Sequence, residues 1–76
     1  MREEFKKIIE TFNDRFTIIN VDQTINGISA VLEINEKLKS TQETYNCRSV
    51  RACRRGNLLY IFQGDLNDIT FMLKMV

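Results

Sequence analysis

Apolar residues at Phe5, Ile8, Ile9 and Phe12 fall at i, i+3, i+4 and i+7, one stripe of a helix. Glu3 and Glu4 occupy its first turn, where the macrodipole favours acids, and Asn13-Asp14 is a plausible stop. The pattern then changes period. Asn26-Gly27 is the preferred pair for a two-residue type I′ hairpin. Closing a hairpin there pairs Ile25 with Ile28, Val21 with Leu32 and Ile19 with Ile34 on one apolar face, with Gln23 opposite Ala30 as the polar intruder. The other face carries Thr24 with Ser29, Asp22 with Val31 and Asn20 with Glu33, largely polar. This hairpin is expected to lay its apolar face on the first helix. The stretch from Asn35 to Thr44 is polar and reads as a loop.

A second hairpin is expected from Tyr45–Arg54 and Asn57–Gln63, turning at Arg55-Gly56. Its faces sort poorly. Val50, Ala52, Leu59 and Ile61 share one face; Cys47, Cys53, Leu58, Tyr60 and Phe62 share the other, with Arg51 among them. A strand with one wet face alternates, and Leu58-Leu59-Tyr60-Ile61-Phe62 does not, so both of its faces are expected to meet something. In the last segment Asp65 is a good N-cap, with Asp68 at the capping-box position, and Leu66, Ile69, Leu73 and Val76 form a helical stripe. A fifth strand is the alternative, with Ile69, Phe71, Leu73 and Met75 alternating. The helix is preferred because cap and stripe agree. Phe71, Met72 and Met75 then leave apolar atoms outside the stripe. The reading is a single α+β domain over residues 1–76, ordered α-β-β-β-β-α. A four-stranded antiparallel sheet from two hairpins carries its helices mainly on one face.

Composition narrows the chemistry. A chain of 76 residues is one domain near the lower size limit for folding without a metal or disulfides. The net charge of +1 names no partner. No apolar run is long enough to span a bilayer, and Glu3 and Glu4 stand where an export signal is basic and then apolar. A soluble, cytoplasmic protein without membrane contact is expected. Cys47 and Cys53 on one strand would lie ~20 Å apart, too far for a disulfide. The chain has no histidine, which excludes Ser-His, Cys-His and His-based acid–base schemes and leaves a zinc site short of ligands. With three glycines it has neither a P-loop nor a dinucleotide fingerprint. No catalytic residue, metal site or cofactor is expected.

Two features remain as candidate binding surfaces. Arg48, Arg51, Arg54 and Arg55 fall within residues 48–55, a span without an acid, and are read as converging near the hairpin turn. Guanidinium groups bind carboxylates or phosphates bidentately, and Tyr60 and Phe62 share a face with Arg51 and Arg55. The second feature is the surplus apolar surface of Leu58, Tyr60 and Phe62, which one helical layer cannot cover. The expected function is a small non-enzymatic protein that regulates or inhibits a macromolecular partner through protein–protein contacts, forming a homodimer near the Leu58–Phe62 strand. The alternative is a nucleic-acid-binding module using the arginine hairpin. The Ile- and Asn-rich composition points to a low-GC bacterium, its phages or mobile elements.

Overall fold

The computed structural model describes residues 2–76. It contains α1 (Arg2–Glu10), β1 (Phe16–Thr24), β2 (Gly27–Ile34), β3 (Gln42–Cys47), β4 (Val50–Arg55), β5 (Leu58–Gln63) and α2 (Leu66–Leu73). The strands form one antiparallel sheet in the order β1-β2-β5-β4-β3. The α+β class, the flanking helices and the antiparallel sheet match the expectation. The C-terminal segment is helical, not a strand. Among the described residues no helix is long and apolar enough to cross a membrane.

The sheet has five strands where four were expected. The segment read as one strand from Tyr45 to Arg54 folds back at Arg48-Ser49, so that Cys47 pairs with Val50 and Gln42 with Arg55. Arg48 takes φ 54°, a left-handed conformation uncommon for a residue with a Cβ. The turn lacks glycine, asparagine and proline, and its support is long-range. Asp68 of α2 accepts hydrogen bonds from the Ser49 backbone N–H (3.1 Å) and hydroxyl (2.6 Å). The next turn is Gly56-Asn57, one residue later than expected, with Arg55 paired to Leu58. Gly56 has φ 57° and Asn57 does not have positive φ, which suits glycine in the first central position.

The first hairpin differs in register. Thr24 pairs with Gly27 and Val21 with Ala30, so the turn is Ile25-Asn26 and Ile25 is fully exposed at its tip. Gly27 is needed for another reason. Its φ is 104°, and a Cβ there would sit 2.2 Å from the Gly64 carbonyl oxygen. That carbonyl accepts the Ile28 N–H at 2.8 Å, joining the hairpin end to the entrance of α2. Nearer the other end of β1 a bulge between Ile18 and Asn20 shifts the register. Ile19 is thereby 54% exposed, while Phe16 pairs with Ile34 and both are buried. The bulge resets the alternation, so Phe16 and Val21, an odd number of residues apart, both reach the core.

Both helices cover the same sheet face. Phe5 and Ile9 of α1 and Ile69, Met72 and Leu73 of α2 enter one core with Val21, Ile28, Leu32, Val50, Leu59 and Ile61. Met72 is therefore core, contrary to expectation, whereas Phe71 and Met75 remain exposed. α1 is followed by Asn13 and Asp14 at φ 53° and 60°, the left-handed geometry of a helix stop. Phe12 then packs edge-on to Phe16, their centroids 5.5 Å apart. Arg15 donates to the carbonyl of Leu73, the last residue of α2 (3.5 Å), and to that of Val76 beyond the helix, and it pairs with Glu36. The last carbonyls of a helix have no partner within it, and a cation at that end complements the dipole.

Candidate functional site: the open face of the sheet

Among the described residues both helices lie on one side of the sheet, and no layer covers the other face. Its residues follow from the register, because directly opposed residues share a face. One row across β1, β2, β5, β4 and β3 reads Asn20, Val31, Tyr60, Cys53, Thr44. The adjacent row reads Thr17, Glu33, Leu58, Arg55, Gln42. Phe62 continues the β5 column and is 59% exposed. Gln42, Cys53, Arg55, Tyr60 and Phe62 line a shallow depression on this face.

The unsorted strand is thus accounted for. Leu59 and Ile61 point into the core with 0% and 2% exposure, and Leu58, Tyr60 and Phe62 point to the open side. As the sequence suggested, Arg55 shares that side with Leu58 and Tyr60. Arg51, paired across from Asn46, lies on the same side and donates from its Nη1 to the carbonyls of Arg48 (2.9 Å) and Val50 (2.8 Å).

The four arginines do not converge. Arg48 lies in the β3–β4 turn at the far end of β4, its guanidinium carbon 4.9 Å from the Phe71 ring centroid and its Nη1 3.7 Å from Asp68. Arg54 pairs across from Leu59 and Glu43, on the helix side, and donates to the Gly56 carbonyl (2.8 Å) and the Thr41 hydroxyl (3.1 Å). These two serve local structure. A residue count along one strand could not separate them, because the extra turn at Arg48-Ser49 and the opposed faces of β4 divide them. Arg51 and Arg55 remain as the cations of the open face.

The carboxylates near α2 have structural partners. Asp65 caps the helix by accepting the Asp68 N–H at 2.9 Å. Asp68 does not reach back to the Asp65 N–H as a capping box would. Ser49 takes that place: its hydroxyl accepts the Asp65 N–H at 3.0 Å and donates to Asp68. The side-chain bond from Ser49, then its backbone N–H, with Arg48 nearby, hold the Asp68 carboxyl below its ordinary value of 3.8, against the opposing effect of burial. Among the described residues no three potential metal-ligating side chains converge. Cys47 and Cys53 are on different strands, not one, and on opposite faces; both are free thiols.

Among the members of the face that the sequence reading missed are two that flank the β5 column. Val31 stands directly beside Tyr60, and Glu33 beside Leu58. Their positions require β2 to pair with β5, a contact across the chain. The one signal available was that Val31 interrupts an otherwise polar side of the first hairpin. Comparison with family models, curated proteins and solved structures returns no match to the chain.

Proposed function

We propose that the protein is a non-catalytic binding module that regulates or inhibits a macromolecular partner by protein–protein contact through the open face of its sheet. The observation that carries this reading is the aromatic and aliphatic column Leu58, Tyr60, Phe62 on a face without a covering layer. Aromatic rings ringed by arginine and short polar side chains are the composition of protein contact surfaces. Arg51, Arg55, Gln42 and Thr44 supply such a rim here. The same face suits self-association, and a homodimer is the expected assembly. The Ile- and Asn-rich composition extends the reading to a cytoplasmic regulator encoded by a phage or mobile element.

Affinity capture from the native host tests the reading. The wild-type chain is expected to retain a specific partner that Phe62→Ser loses. Met75→Ser, at an equally exposed apolar residue beyond α2, is expected to keep it. Equal capture by all three would overturn the open face as the contact surface.

Single-stranded nucleic acid is the second reading, favoured by Arg51 and Arg55 standing beside Tyr60 and Phe62. Base stacking on the rings with phosphates on the guanidinium groups is its physical basis. Asp22, opposite Ser29, and Glu33 on the same face weigh against it by repelling a phosphate backbone. It requires salt-dependent binding that weakens when Arg51 and Arg55 are replaced together by Ala. Fluorescence anisotropy with a labelled oligonucleotide decides it.

A further inference from the structure

The charges of the open face are arranged in halves. Glu33 on β2 stands one strand to one side of Leu58, and Arg55 on β4 stands one strand to the other. Both are exposed. Neither has an ion-pair or side-chain hydrogen-bond partner among the described residues. A strand spacing of ~4.8 Å puts their Cα atoms ~10 Å apart across the sheet, with the apolar column between them.

Resting on the reading that this face contacts protein, we propose that its occupant is a second copy of the chain, packed face to face about a two-fold axis parallel to β5. Rotation about such an axis keeps each residue's height along the strands and reverses the strand order across the sheet. β5 then lies over β5, and β4 of one copy lies over β2 of the other. Arg55 of each copy faces Glu33 of the other, giving two ion pairs that flank the contact of Leu58 with its counterpart. In the neighbouring row, Tyr60 meets its counterpart and Cys53 faces Val31 of the other copy. Packed sheets lie ~10 Å apart, a gap that an arginine and a glutamate side chain span together.

Charge selects this axis over the competing one. A two-fold axis in the same plane but perpendicular to the strands sets β4 over β4 and β2 over β2. It would bring Arg55 toward Arg51 of the other copy and leave Glu33 without a cation. The parallel axis pairs every residue of the Glu33–Leu58–Arg55 row with a complementary one. The interface is isologous, as a two-fold contact must be. From strand spacing and rise, the face offers roughly 500 Å² per copy, at the low end for a specific interface. The dimer is therefore concentration-dependent, not permanent.

Sedimentation velocity over a concentration series tests the proposal, with charge reversal as the probe. The wild-type chain is expected to dimerise as concentration rises. Arg55→Glu and Glu33→Arg should each weaken the dimer ~10-fold or more, and the double variant carrying both should restore it. Both positions are exposed, and circular dichroism should show all variants folded. A wild-type chain that stays monomeric to about millimolar concentration would overturn the proposal, as would a dimer insensitive to either reversal. Failure of the double variant to recover would overturn it too. If the wild-type chain is monomeric while Phe62→Ser still loses its host partner, the open face stands as a contact surface and the second copy falls as its occupant.

Discussion

Gly27 leaves no room for a side chain. Its φ of 104° lies where L-residues are strained, and a Cβ would overlap the Gly64 carbonyl oxygen at 2.2 Å. The obstacle is backbone, so no rotamer change relieves it. Gly27→Ala is expected to destabilise the fold by about 3 kcal/mol, combining strain with a displaced β2–α2 junction. A urea titration reads this as a lower midpoint with little change in slope. By contrast, Gly56 has open space around its Cβ position and its constraint is conformational alone. Ser49 and Asp68 give a second expectation at this scale. The folded-state value of Asp68 lies below its ordinary value, so the carboxylate stabilises the fold above the unfolded-state range. That contribution is lost as pH falls through the depressed folded value. The melting temperature of the wild-type chain should therefore exceed that of Asp68→Asn at neutral pH, with the gap closing below about pH 4. A gap that stays constant to low pH would contradict the role given to Ser49 and Asp68.

Elements differ in how far their sequence announces them. α1 was legible because Phe5 and Ile9 fall on one stripe and both are buried. α2 was legible because Asp65 caps it as its position implies. β3 was not. Its first half, Gln42-Glu43-Thr44, is polar throughout and read as loop, and the alternation of Tyr45 and Cys47 is weak because the helix-side residues are at most half-buried at the sheet edge. The register of the first hairpin was misread for a different reason. A glycine after an asparagine fits a tight turn, and it fits a close approach by another strand equally well. Only the arrival of Gly64 distinguishes them. β1 and β3 each have one strand neighbour, whereas β2, β5 and β4 each have two, and β3, unlike β1, carries no buried residue. Backbone amides of β3 are accordingly expected to exchange with solvent fastest among the strands, and the Leu32 and Leu59 amides among the slowest. Hydrogen exchange followed by NMR measures both; protection of β3 equal to β5 would contradict the edge assignment.

At the scale of the molecule, the core and the candidate surface are two sides of the same strand. Leu59 and Ile61 hold the helices, and Leu58, Tyr60 and Phe62 face outward. Phe62→Ser is accordingly expected to change stability by no more than about 0.5 kcal/mol while abolishing capture. The sequence located the outward column, because Leu58 to Phe62 refuses to alternate. It did not locate the acidic half of the face, because Glu33 reaches that surface through β2, far away in the chain. Folding inherits the same strand order. The middle strand of the sheet is β5, encoded after every other strand. As the nascent chain emerges, β1 and β2 come first, with Ile28, Leu32 and Ile34 on a strand whose second edge is bare. Until β5 inserts between β2 and β4 there are two separate hairpins and no sheet. The ribosome thus delivers the keystone last, and the interval before it arrives is when the chain is most open to pairing with the wrong strand.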